Sequence, residues 1–254
     1  DVLADNGTVD PEMYQPAFDD AVNRILELAS GDLGRSIPHI PDWTAESAVT
    51  HVGLVFSFVQ KSISQGSALS DQGVAGWAND TANQPDSANL PTWFEGVAGE
   101  LRETIWKHST EETVWTSSRT FGTAKFWMRR MTQEVAMHRW DIESAYQEPK
   151  GIEPRLAVDG IDEFYGFFVS ERLPAVFAGN GTLHLHAVDV DGEWMITRNS
   201  DGIDVDLSHG KGDVAARGTA SNLLLFVWRR QGYDVLETFG DTSLLEEHQR
   251  LLQI

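Results

Sequence analysis

The chain reads as α+β: an N-terminal four-helix bundle followed by a small α/β domain with an antiparallel sheet. Three observations predict this. Up to Pro149, apolar side chains recur at helical intervals in four segments; beyond it, short runs alternate with period two between glycines; and Glu148-Pro149 marks the change, because a proline ends the helix before it. A chain of 254 residues has core enough for one large domain or two smaller ones, and the change of texture divides it into residues 1–150 and 151–254.

The first helix runs from Pro11 to Ser30 on Met13, Phe18, Ala21, Val22, Ile25, Leu26 and Leu28, and Gly31 stops it. Thr44, with Ser47 behind it, caps the second helix, whose apolar band of Val49, Val52, Val55, Phe56, Phe58 and Val59 reaches about Ile63. His51 sits early in it. The stretch from Gly66 to Asn89 is rich in Gly, Ser, Asp and Asn and reads as a long loop, either part of a pocket wall or a plain surface excursion. Leu90-Pro91 opens the third helix, through Phe94, Val97, Leu101, Ile105 and Trp106. The fourth follows Gly122-Thr123 and carries Phe126, Trp127, Arg130, Met131, Glu134, Val135, His138, Asp141, Ile142 and Ala145 at helical spacing.

In the second half, Leu156 to Phe177 reads as one more helix with Phe164, Phe167 and Phe168 on its core face. Thr182 to Val188 alternates, Asp191-Gly192 signals a tight turn, and Glu193 to Thr197 completes a hairpin. Ile203 to Leu207 and Asp213 to Arg217 are two further short strands. Helical pattern returns at Thr219-Ala220-Ser221 and again from Ser243 to Leu252. No internal repeat is present.

Composition excludes several functions. The 39 acidic against 19 basic residues, a formal charge of -20, repel nucleic-acid phosphates and anionic membrane surfaces, so neither is an expected partner. Such an excess most simply describes a solvated, self-repelling surface. With no cysteine, the chain offers no disulfide, thiolate ligand or catalytic thiol, and any sulfur chemistry must use a thiol that arrives as a ligand. No apolar run approaches the roughly 20 residues of a spanning helix and no basic-then-apolar leader pattern opens the sequence, so a cytoplasmic location is expected.

The chemistry concentrates in the fourth helix. Glu134 and His138 are four residues apart, which puts both on one face one turn apart, and Asp141 follows one turn on. Met131, Val135 and Ile142 flank the pair, so a carboxylate there is costly unless a positive partner neutralises it. Bundle cores build metal sites from such inward carboxylates and imidazoles. The best donor of a third ligand is His51. Two imidazoles and one carboxylate leave coordination positions open, a set that suits zinc best and also serves non-haem iron. The competing reading pairs Glu134 with Arg130 and leaves His51 and His138 as ordinary hydrogen-bonded histidines. Asp141 either orients an imidazole or belongs to a solvated face.

The other histidines carry less. His184 and His186 share one strand face at a spacing that can bind metal, but solvent-facing positions account for them. His39, His108, His209 and His248 fall in loops or helix ends without a motif. There is no Gly-rich phosphate loop, His-Glu-x-x-His or nucleophile-elbow serine. The nine tryptophans read as core rather than as a cofactor box, with Trp127 and Trp140 able to do either job.

In these residues the chain resembles the mycothiol-dependent maleylpyruvate isomerase family, whose first domain is a DinB-like four-helix metal domain and whose second is an α/β unit similar to sterol-carrier folds. The resemblance lies in His51, in Glu134 to Asp141, in Ser200 to Val205, in Val214 to Leu224 and in Phe239-Gly240-Asp241. It implies metal ligands at His51, Glu134 and His138, the trio that helical spacing also selects. It implies an arginine of the second domain at the substrate cleft, here Arg217, with Arg229 and Arg230 as alternatives and surface ion pairing as the plain reading of all three. The implied cofactors are zinc, or another divalent metal, and mycothiol. The implied partners are a small thiol and a small unsaturated carboxylate or other electrophile, in a monomer or small homo-oligomer. In the implied reaction, thiolate adds to the double bond of a cis ene-dione acid, the resulting single bond rotates, and the thiol leaves to give the trans product. A mycothiol S-transferase that consumes thiol, and a metal-stabilised binding protein without turnover, are the alternatives.

Overall fold

The computed structural model describes residues 10–252, so residues 1–9 and 253–254 of the two expected domains lie outside the described residues. Two compact units are present, Asp10–Lys150 and the part that begins at Gly151.

The N-terminal unit is built on four long helices: α1 (Tyr14–Ala29), α2 (Ala45–Gln65), α4 (Leu90–Trp106) and α5 (Ala124–Ser144). Their apolar stripes meet in a core where Phe56 lies 5.3 Å from Phe18 and 6.0 Å from Phe94, ring centre to ring centre. Val49, Val52, Ile25, Leu101 and Val135 complete it, all fully buried. Each such side chain contributes about 1.5–3 kcal/mol. Gly53 of α2 faces α4, and a Cβ there would lie 2.2 Å from the Trp93 ring; the absent side chain lets the indole rest on the α2 backbone. The stretch expected as a long loop holds a six-residue helix, α3 (Gly73–Ala78), and two 3₁₀ turns. Asp80 and Asp86 accept the backbone N–H of Ala82 and Ala88 and so start the two turns. Local capping by a side chain explains order in a stretch whose composition alone signals a loop.

α5 differs from the other long helices. Arg130, Thr132, Gln133, His138, Asp141 and Glu143 are all buried on it. Buried polar groups persist only where they are partnered, so a helix of this kind marks a polar network inside the bundle.

In the C-terminal unit, α6 (Pro154–Glu163) starts at Glu153, whose carboxylate accepts from Leu156 N at 2.8 Å. The helix expected to reach Phe177 instead widens into a π-helix over Phe164–Arg172 and ends in a 3₁₀ turn. Trp228 packs edge-on against both Phe164 and Phe168, at 5.0 and 4.8 Å. The sheet has the order β3-β2-β1-β4-β5, with β1 (Thr182–Ala187), β2 (Glu193–Asn199), β3 (Gly202–Asp206), β4 (Val214–Gly218) and β5 (Glu237–Gly240). The α+β class stands as expected, but the sheet is mixed: β1 and β4 run parallel, Leu183 opposite Val214 and His186 opposite Arg217. The cause is topological. Residues 207–213 carry the chain from β3 across the sheet to the free edge of β1, and after that crossing β4 runs in the direction of β1. β5 was not legible as a strand, because its four residues show no alternation and take their register from β4. The helices α7 (Ala220–Val227) and α8 (Ser243–Leu251) complete the unit. Leu183, Leu185, Trp194, Ile196, Val214 and Ala216 point to the apolar face, while Thr182, His184, His186, Glu193, Met195 and Arg217 share the other.

Among the described residues, no helix is long and apolar enough to cross a membrane.

Candidate metal centre

The start of α2 is fixed by a reciprocal cap: Ser47 N donates to Thr44 Oγ1 at 3.2 Å and Thr44 N donates to Ser47 Oγ at 2.7 Å. That cap sets His51 nearly two turns into the helix and facing α5. His51 Nε2 lies 3.2 Å from Glu134 Oε1, and His138 Nε2 lies 3.4 Å from the same oxygen. The other oxygen, Oε2, accepts a hydrogen bond from Arg130 Nη2 at 2.9 Å. The structure therefore brings His51, Glu134 and His138 together, and the Arg130 pairing coexists with the cluster on the opposite oxygen rather than replacing it.

The three ligand atoms lie within 4.8 Å of one another. A tetrahedral ion with bonds of roughly 2.0–2.2 Å holds its donor atoms about 3.4 Å apart, so two of these spacings fit it with almost no movement. The donor chemistry fits as well, because two imidazoles and a carboxylate are ligands of zinc and other first-row divalent ions. Exposure rises across the cluster from the His138 side chain at 9% through Glu134 at 15% to His51 at 38%, so the open side is that of His51.

Behind the cluster stands a polar chain. Asp141 is fully buried and places Oδ2 2.9 Å from His138 Nδ1, while its Oδ1 lies 2.7 Å from His39 Nε2. Of the two readings open for Asp141, its complete burial rules out the solvated face, and its place beside His138 Nδ1 is that of an ion-pair partner rather than of a well-aligned hydrogen-bond acceptor. With Nδ1 turned to a carboxylate, His138 presents Nε2 to Glu134 and to any ion there. The Trp43 ring stacks on His138 at 5.9 Å and lies 5.2 Å from His51, walling one side of the pair. Sequence reasoning missed His39 and Trp43. Both lie in the turn-rich segment before α2, and only the fold carries His39 to Asp141.

The electrostatics favour a charged network. Burial works against ionisation of Glu134, yet hydrogen bonds from His138 and His51 and the nearby Arg130 hold its carboxyl well below the usual range. Burial likewise opposes a charge on His138, but Asp141 and Glu134 outweigh it and push its pKa up to about 9. In the metal-free chain a proton therefore occupies His138 at neutral pH.

A cavity of about 390 Å³ adjoins His51, lined by Thr44, Ser47, Thr50 and Leu54 of α2 and its cap and by Gln84 and Pro85 of the 66–89 stretch. That stretch contributes to a pocket wall.

Arg217 stands near the end of β4 on the polar face of its sheet, 3.5 Å from Glu237 and half exposed. It lines a cavity of about 740 Å³ with His186, Glu193, Asp162 and Leu207. Its two alternatives are tied into the fold: Arg229 has a φ of 58° and donates to Leu252 O, and Arg230 donates to Trp228 O at 3.0 Å.

Comparison with known proteins places both halves of the chain. Residues 15–143 match the model of the mycothiol maleylpyruvate isomerase N-terminal domain, and residues 155–247 match that of the MDMPI C-terminal domain. A crystal structure of the mycothiol-dependent maleylpyruvate isomerase and one of its histidine-to-alanine variant each superpose with a TM-score of 0.64 at 13% identity, covering 91% of this chain and 93% of that one. At that identity the likeness concerns the fold. A search of curated protein sequences returns no significant match. With both domain models matched in order along the chain, the protein belongs to the mycothiol maleylpyruvate isomerase family.

Proposed function

We propose that this chain is a metal-dependent, mycothiol-using isomerase of the maleylpyruvate type, with His51, Glu134 and His138 as ligands of a divalent ion, zinc being the best fit. The observation that carries the reading is the convergence of two Nε2 atoms on Glu134 Oε1 while Oε2 is held by Arg130. When bound, such an ion lowers the pKa of a coordinated thiol and so makes thiolate available near neutral pH. The chain has no thiol of its own, so the nucleophile is the small-molecule thiol.

The protein's own groups then divide the work. Asp141 backs the His138 imidazole so that Nε2 faces inward, and Arg130 balances the charge of Glu134 in a site flanked by the Trp43 ring. The cavity beside His51 is large enough for a compact ligand. Arg217 is the candidate for a substrate carboxylate, since its guanidinium is half exposed and its ion pair with Glu237 is surface-screened. Addition of thiolate to a cis ene-dione, rotation about the resulting single bond and elimination regenerate the thiol, so thiol acts as a cofactor.

The test combines metal content with thiol stoichiometry. Untagged protein and its His51→Ala and His138→Ala variants are assayed by elemental mass spectrometry and with mycothiol and a cis ene-dione acid. The expected outcome is ion bound at this site in the parent, loss of it in either variant, and cis-to-trans conversion at constant thiol concentration. Full metal occupancy in both variants would move the ligands elsewhere; depletion of thiol would make the chain an S-transferase.

A further inference from the structure

The C-terminal unit contains a second histidine and carboxylate cluster that the proposed reaction does not use. The crossover segment 207–213 passes over the polar face of the sheet: a Cβ at Gly210 would lie 2.9 Å from Met195 Cε, and one at Gly212 would lie 3.2 Å from His184 N. The crossing covers His184, which is only 6% exposed, and sets His209 beside it at a ring distance of 5.4 Å. Position 184, expected to face solvent, is thus buried.

Three imidazoles converge on one oxygen. Glu193 Oε1 lies 2.5 Å from His186 Nδ1, 2.8 Å from His209 Nδ1 and 3.5 Å from His184 Nε2. Two hydrogen bonds saturate that oxygen, and His184 Nε2 is left buried without a hydrogen-bond partner. At 3.5 Å it is too far to donate to Glu193, and as a lone pair it would face a carboxylate.

We propose that His184, Glu193 and His209 form a second site for a divalent transition-metal ion, which fastens the 207–213 crossover to the sheet. The donor atoms of these three residues lie within 4.8 Å of one another. The separation of 3.5 Å between His184 and Glu193 is close to the roughly 3.4 Å edge of a tetrahedral zinc site, and the 2.8 Å contact opens to that value by a small shift of His209, whose side chain is 80% exposed. An ion here gives His184 Nε2 the partner it lacks. His186 hydrogen-bonds the same oxygen, Oε1, and so fixes the carboxylate in place, as hydrogen-bonding groups beside metal ligands do. Nitrogen and oxygen donors without thiolate suit zinc, cobalt or nickel.

Stoichiometry of the full chain loaded with Zn²⁺ or Co²⁺ tests the site independently of the one in the helical bundle. The expected result is two ions per chain in the parent, one in His51→Ala, one in His209→Ala, and none in the double variant. His209 is exposed and its replacement leaves the fold intact; Glu193→Gln, which keeps the side-chain volume, is expected to weaken the second ion by about 10-fold or more. Hydrogen exchange of residues 207–213 slows on adding Zn²⁺ to the parent and not to His209→Ala. One ion in the parent, lost entirely in His51→Ala, would overturn the proposal while leaving the bundle site standing. A second ion that survives both His209→Ala and Glu193→Gln would overturn the assignment to these residues.

Discussion

At the scale of single residues, the controlling fact is that His138 meets Asp141 on one nitrogen and Glu134 on the other. A metal ion needs the Nε2 lone pair, whereas the metal-free ring holds a proton up to a pH of about 9. Binding at pH 7 is therefore expected to release about one proton per ion, read by calorimetry of Zn²⁺ binding in buffers of different ionisation heat, and affinity rises with pH until about 9. Asp141→Asn removes the charge behind the ring and is expected to weaken metal binding by about 10- to 100-fold, measured by chelator competition. Unchanged affinity would reduce Asp141 to a packing role. Arg217→Ala is expected to keep full metal content while raising KM for a carboxylate substrate by about 10- to 100-fold, the scale of a lost charge-assisted hydrogen bond. Unaltered kinetics would transfer the role to another arginine. The proximity of Glu134 and His138 was readable from sequence because helical spacing alone puts them on one face, whereas the approach of His51 depends on how α2 packs against α5. His39 was not readable, because its 2.7 Å contact with Asp141 spans 102 residues of chain.

At the scale of elements, α2 delivers His51, and the reciprocal cap of Thr44 and Ser47 determines where α2 begins. Thr44→Ala is expected to lower stability by about 1 kcal/mol, measured by urea denaturation. If the denaturation midpoint does not move, the helix start is held by packing of Ala45, Ala48 and Val49 instead. The long helices were legible because each shows an apolar stripe of three or more turns. The π-helix over Phe164–Arg172 was not, since nine residues are too few to separate its wider turn from an α-helical period in the sequence. The parallel pairing of β1 and β4 escaped for another reason: a strand's sequence does not encode which edge it joins, and the seven-residue crossover that decides it resembles any polar loop.

At the scale of the whole molecule, stability depends on pH through histidines with opposite behaviour. His248 is enclosed by Phe164, Phe177 and Phe226, and burial pushes its pKa down to about 3. An unfolded chain takes up a proton there below pH 6.5 and the folded chain does not, so this group lowers stability as pH falls from 6.5 toward 3. His138 works in the other direction: its raised pKa adds stability below 6.5 that is lost as pH climbs through about 9. His248→Leu isolates the first effect. Between pH 7.5 and 5 the parent is expected to lose about 2 kcal/mol more than the variant, from chemical denaturation at each pH. Equal losses would mean that the ring is solvated in the native state. None of this was visible in the sequence, where His248 stands as one polar residue on a terminal helix.

The division of Glu134 between Arg130 and two histidines has a last consequence, for the order of assembly. In the metal-free chain, Arg130 and the protonated His138 carry two positive charges against Glu134 and Asp141, so these four groups sum to zero with no ion among them. The proton on His138 is a placeholder for the cation. Zinc-finger modules, in contrast, leave their ligands to repel one another until the ion arrives, and they fold only on loading. On the proposed metal assignment, a bundle whose charges already balance is expected to close without its ion and to exchange proton for metal afterwards, so that removing the ion with a chelator leaves the fold standing.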